Sequence, residues 1–146
     1  PVGYEVAEAI GAPLDILMVR KIGAPGHKEY GIGAIVDGAS PQIVLDRHAI
    51  SLLRVSDAYI EEEVARELAR IESRRAAYRT GPAVSIGGRT AIVVDDGIAT
   101  GNTAKVALQA LAKANPARLI LAVPVAPRES IANLRKDCDQ IVCLYT

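Results

Sequence analysis

Apolar positions along the chain follow two rhythms. Val2, Val6, Ala9 and Ile10 fall on one side of a helix that Gly11 and Pro13 end. The run 14–20 (Leu-Asp-Ile-Leu-Met-Val-Arg) reads as a strand. Two short apolar runs, Gly31 to Val36 and Gln42 to Leu45, flank Asp37-Gly38-Ala39-Ser40-Pro41 and predict a hairpin. Ile60, Val64, Leu68, Ile71 and Tyr78 then step at helical intervals after Ser56, a suitable N-cap. Thr80-Gly81-Pro82 opens a loop that lasts until Arg89. Ala91 to Val94 is uninterrupted, which predicts a strand buried on both faces. Val106, Ala107, Ala110, Leu111 and Ala114 form the inward stripe of a helix stopped by Asn115-Pro116. A strand over 118–125, a short helix over 129–137 with Ile131 and Leu134 inward, and a last strand over 140–144 complete the series. The alternation predicts an α/β fold, a doubly wound parallel sheet with a small appended hairpin.

Composition narrows this picture only modestly. The 146 residues fit a single domain, and half of them are hydrophobic. With five Tyr, no Phe and no Trp, the core must be aliphatic. Lys plus Arg equals Asp plus Glu, 17 of each, so nothing calls for nucleic acid as a partner. No apolar run reaches the length of a membrane span and no signal peptide is visible, so the expected location is the cytoplasm. Cys138 and Cys143 form no metal or redox motif, and read as small core residues in a reducing compartment. The charge run Glu61-Glu62-Glu63 and the later Arg74-Arg75 read as a solvated helix face, with Glu62 and Arg66 one turn apart. Acids first and bases last suit the helix dipole.

The chemistry concentrates in Thr90-Ala91-Ile92-Val93-Val94-Asp95-Asp96-Gly97-Ile98-Ala99-Thr100-Gly101-Asn102-Thr103. Two carboxylates follow the strand at its C-terminal end, where parallel sheets bind ligands. Gly97 and Gly101 permit close approach to the main chain, and successive amides leading into a helix N-terminus make an anion site. Thr100 and Thr103 add hydroxyl donors. The loop suits a phosphate. Asp95 and Asp96 would repel one, so they need sugar hydroxyls, a metal ion or a developing cation. A phosphate beside a pair of hydroxyls describes a ribose 5-phosphate. The plainer alternative is a strand-to-helix turn whose acids only cap the helix. No P-loop and no dinucleotide fingerprint is present.

The stretch 93–103 resembles the phosphoribosyl-pyrophosphate (PRPP) signature of the type I phosphoribosyltransferases: a hydrophobic strand, two acids, then a small-residue loop with Thr-Gly and a final Ser or Thr. The whole chain is similar to a bacterial branch of that family whose substrate is unsettled. The resemblance implies that Asp95 and Asp96 bind the ribose hydroxyls and that Gly97, Ile98, Ala99, Thr100, Gly101, Asn102 and Thr103 bind the 5-phosphate. It implies transfer of the phosphoribosyl group from PRPP to a nitrogenous base, with Mg²⁺ bound mainly through PRPP. A non-catalytic sensor of PRPP or a nucleotide, on the same fold, stays open as an alternative. Relatives acting on 6-oxopurines carry an acid where this chain has Ala99, and a Lys near the position of Val123-Pro124-Val125, so hypoxanthine and guanine are disfavoured.

Arg20 and Lys21 form a basic pair at the expected C-terminal end of the 14–20 strand. The following Ile22-Gly23-Ala24-Pro25-Gly26-His27-Lys28-Glu29-Tyr30-Gly31 reads as a mobile loop. The resemblance implies that Lys21 reaches the pyrophosphate with Arg20 nearby, while His27 and Lys28 are candidates to close over it. The expected catalytic set is Lys21, Asp95 and Asp96, with no metal ligands of the protein's own. A homodimer is left open. Pro1 stands where an initiating Met is absent, and the resemblance implies a first strand before the 1–10 helix, lying between the 14–20 and 90–94 strands. The expectation is therefore a fragment of a longer domain.

Overall fold

The computed structural model describes residues 1–37, 41–78 and 84–146, with the backbone alone for 76–78. It divides into two units, one made of Pro1–Asp15 with Val84–Thr146 and the other of Ile16–Ala83. The turn residues Gly38 to Ser40 and the start of the 80–89 loop lie outside the described residues.

The first unit is built on a parallel sheet. Its strands are β4 (Thr90–Val94), β5 (Arg118–Val125) and β6 (Gln140–Tyr145), in the order β4-β5-β6. Parallel neighbours need a crossover, and here α4 (Asn102–Ala112) joins β4 to β5 while α5 (Arg128–Leu134) joins β5 to β6. Ala91, Leu119, Leu121 and Val123 meet Ala104, Leu108, Ile131 and Leu134 in one aliphatic core. Pro124 sits in the middle strand, where a missing N–H is normally costly. The β4 ladder stops at Val94↔Ala122, so Pro124 lies beyond it.

The sheet and its connections match the alternation read from the chain, with three local corrections. β4 is an edge strand, and Ile92 is 38 % exposed rather than buried. The stripe of α4 is Ala104, Ala107, Leu108 and Ala110, whereas Ala114 lies past the helix and is exposed. The first helix, α1 (Val2–Ile10), half-buries Val2, Gly3, Val6 and Ala7, leaving Ala9 and Ile10 exposed. Gly11 ends it in the left-handed region at φ 63°, with Ala12 N–H donating to Ala7 O at 2.9 Å.

The second unit holds an antiparallel sheet in the order β1-β2-β3, formed by β1 (Val19–Ala24), β2 (His27–Val36) and β3 (Gln42–Leu45). The hairpin of β2 and β3 is present as read. The 14–20 segment is different. Only Val19 and Arg20 are in a strand, which runs on to Ala24 and pairs antiparallel with β2. Leu14 and Ile16 are about half exposed. The expected mobile loop is a second hairpin, turned by Pro25 and Gly26 with φ 71° at the glycine. Proline followed by a positive-φ glycine is the pattern of a type II turn. Gly23 sits at a bulge, and a Cβ there would lie 2.6 Å from Lys28 O, so the hairpin closes only over glycine.

Two helices follow in this unit, α2 (Arg47–Leu52) and α3 (Asp57–Tyr78). The Asp46 carboxylate caps α2 by accepting Ala49 N–H at 3.0 Å, and Ser56 Oγ accepts Tyr59 N–H at 3.3 Å at the start of α3. α3 buries Ile60 and Ile71 with Ile22, Ile32 and Ile35. Its inner face also carries acids. Glu63 and Glu67 are buried, and Arg75 pairs with the buried Asp37 at 3.3 Å, so the charge run is not uniformly solvated. Glu62 and Arg66 do pair, at 2.9 Å.

Candidate functional site

β4 delivers Asp95 and Asp96 at its C-terminal end. Asp95 N–H donates to Ala122 O at 3.3 Å, extending the ladder by one step, and Asp95 Oδ1 accepts Gly97 N–H at 3.3 Å. That bond turns the chain and leaves Asp95 half-buried, with Asp96 exposed. Ile98 drops into the aliphatic core, and its N–H donates to Val125 O at 3.1 Å. The buried Ser130 of α5 donates its Oγ–H to Ala99 O at 2.8 Å. The loop is thus fixed along its length from β5 and α5.

Gly101 completes the turn into α4. It is buried, with φ 78° and ψ 0°, and a Cβ there would lie 3.2 Å from Leu134 Cδ1. As the N-cap of α4 it offers no side-chain acceptor to the first helical amides. Of the seven amides from Gly97 to Thr103 expected to face a ligand, those of Gly97 and Ile98 are taken by protein acceptors. Among the described residues, the N–H groups of Ala99, Thr100, Gly101, Asn102 and Thr103 meet no protein acceptor. Those of Gly101, Asn102 and Thr103 lie at the N-terminus of α4, in the same stretch as the exposed Thr100 and Thr103 hydroxyls. Ile98 serves as an anchor.

Arg20 and Lys21 belong to the second unit, inside β1 and not at a strand end. Arg20 Nε donates to Glu67 Oε2 at 3.1 Å, and Glu67 also accepts Arg70 Nη1 at 2.6 Å. Arg20 therefore clamps α3 onto β1 across a buried carboxylate. Lys21 Nζ donates to Glu29 O at 2.9 Å and to Glu29 Oε2 at 3.2 Å, and its side chain is about half exposed. His27 and Lys28 are exposed on β2. Ser130, Glu29 and Glu67 support the predicted residues without any sequence signal, since only the tertiary fold brings them near.

The remaining chemistry is structural. Cys138 and Cys143 are free thiols packed at the margin of the first core. Burial pushes the Cys138 thiol above its ordinary value, with Asp137 and Asp139 adding to the effect. Among the described residues, no helix is long and apolar enough to cross a membrane.

The sequence matches the phosphoribosyl transferase domain over residues 1–145. The chain belongs to that family. Two relatives from Mycobacterium tuberculosis, each named "Putative phosphoribosyl transferase" (Rv0571c in strain H37Rv and MT0597 in strain CDC 1551), are 37 % identical over 147 residues. Those matches cover all of this chain but 33 % of each relative, so the chain spans about a third of their length. The crystal structure of TT1426 from Thermus thermophilus superposes with a TM-score of 0.78 at 37 % identity, over 97 % of this chain and 66 % of that one. At that identity and TM-score the two chains share the α/β fold.

Proposed function

We propose that this domain transfers the 5-phosphoribosyl group of PRPP to a nitrogenous base and releases pyrophosphate. The observation that carries the reading is the set of unengaged amides from Ala99 to Thr103 at the start of α4, next to Asp95 and Asp96. The amides and the Thr100 and Thr103 hydroxyls hold the 5-phosphate. Asp95 and Asp96 accept from the ribose 2- and 3-hydroxyls, which fixes the ring.

In the reaction the bond from C1 of the ribose to the pyrophosphate oxygen breaks with its electron pair. A lone pair on the base nitrogen forms the new bond to C1, and the base gives up its proton. Positive charge develops on the ring in between, and the two carboxylates favour it. Lys21 offsets the charge of the leaving pyrophosphate. Catalysis is by positioning and electrostatics, with no covalent enzyme intermediate. Carboxylate oxygens joined to substrate oxygens suit Mg²⁺, which takes few protein ligands. Such an ion would be held mainly by the oxygens of PRPP, with Asp95 and Asp96 kept for the ribose hydroxyls, and would neutralise charge on the pyrophosphate. Ala99 and Val123-Pro124-Val125 argue for a base other than a 6-oxopurine. The free thiols agree with a cytoplasmic setting.

The test is pyrophosphate release from PRPP with a panel of pyrimidine, purine and pyridine bases. Base-dependent release is expected. Binding of PRPP without release on any base would overturn catalysis in favour of a sensor.

A further inference from the structure

Lys21 does not stand on β1 as a free cation. A lysine is a flexible four-carbon stem with a compact charge, and ordering it costs rotamer entropy. Here β2 supplies the order. Lys21 pairs with Ala34 in the ladder, and its stem crosses β2 over Gly31. A Cβ at Gly31 would lie 3.1 Å from Lys21 Cδ and 3.3 Å from Cγ, so the stem occupies the space that a side chain would take. Beyond Gly31 the ammonium meets Glu29 twice, at the carbonyl oxygen and at the carboxylate. Two of its three protons are thereby directed and one is left to point outward.

We infer that Gly31 and Glu29 are positioning residues that hold the Lys21 ammonium ready for an anionic group. The inference rests on the proposed contact of Lys21 with pyrophosphate. It is not a claim about stability. The Glu29 side chain is fully exposed, and an exposed ion pair of this kind contributes little to folding. Its effect lies in aiming the cation in advance, which reduces the ordering that binding must supply.

The experiment is calorimetry of inorganic pyrophosphate with magnesium on the whole chain, as a double-mutant cycle. The variants are Lys21→Ala, Gly31→Ala, Glu29→Gln, and the last two each combined with Lys21→Ala. Losing a charge-assisted contact in Lys21→Ala is expected to weaken binding roughly tenfold. Gly31→Ala and Glu29→Gln are each expected to weaken it about threefold alone, and not at all when Lys21 is already alanine. Glu29→Gln changes only an exposed side chain, so it tests the idea even if Gly31→Ala folds poorly. If either change has the same effect in both backgrounds, the residue acts on the fold or through space, and the inference fails. Tighter binding in Glu29→Gln, by simple loss of repulsion, also overturns it. If Lys21→Ala leaves the affinity unchanged, the pyrophosphate role of Lys21 falls and takes the inference with it. That pattern is distinct from the loss of coupling alone.

Discussion

Asp95 and Asp96 are adjacent in sequence but sit in different settings. Asp95 already accepts Gly97 N–H and so shapes the loop, whereas Asp96 is exposed. Asp96→Asn is expected to weaken PRPP binding roughly tenfold or more, as for a lost hydrogen bond to a charged group of about 1.5–3 kcal/mol, with the melting temperature unchanged. Asp95→Asn is expected to weaken it similarly and to lower stability slightly, since the amide oxygen still accepts Gly97 N–H. Full PRPP affinity and turnover in both variants would dismiss the ribose assignment. Gly101 supplies a separate test. At φ 78° and 3.2 Å from Leu134, a methyl group is strained twice, and Gly101→Ala is expected to cost more than about 1 kcal/mol in denaturant unfolding. An unchanged midpoint would show that α4 starts without this constraint. At this scale the acids, the glycines and the hydroxyls were legible, because each residue type states its own chemistry. The use of Ile98 as an anchor was not, because a core position inside a loop looks the same as a ligand-facing one until β5 is in place.

Elements were legible where local pattern decides them. β5, β6 and α3 follow from apolar periodicity and from Ser56, and the structure places them within a residue or two. α2 escaped because six residues are too few to show a period, although Asp46 announces its cap. The 22–31 segment was misread for a sharper reason. Gly and Pro mark both mobile loops and tight hairpin turns, and only pairing with β2 separates the two. Once that hairpin exists, α3 must be fixed to it, and Tyr59 does so by donating its hydroxyl to Gly23 O at 3.0 Å. Burial, assisted by Glu63, raises the Tyr59 phenol above its ordinary value of 10.0. A raised phenol means that the unfolded chain loses this proton first. The stabilisation is therefore complete below about pH 10 and is lost as pH rises through the folded-state value. Tyr59→Phe is expected to cost about 1 kcal/mol at pH 8 and to show a shallower alkaline loss, by urea unfolding at pH 8 and pH 11. A parallel loss in parent and variant would remove Tyr59 from the account.

For the molecule as a whole, the α/β class followed from strand–helix alternation, but the placement of segments did not. Among the described residues, the parallel order β4-β5-β6 leaves β4 bonded on one side only, with Ile92 exposed beside an open backbone edge. Open edges leave N–H and C=O groups unpaired and invite another strand. The expected first strand, argued from family resemblance, would lie there. β1, which that expectation puts on the far side of the added strand, instead belongs to the antiparallel sheet with β2. A chain extended upstream by about one strand, at roughly 3.3 Å per residue, is expected to melt several degrees higher than the 146-residue chain. It is also expected to turn over PRPP faster, because pairing along β4 would steady the strand that carries Asp95 and Asp96. The same comparison separates two effects of the edge. If the extension raised stability but not turnover, the added strand would be a cover for β4 and nothing more. Equal melting and equal turnover would show that the edge of β4 is finished as it stands, and that the acidic loop works without a neighbour on that side.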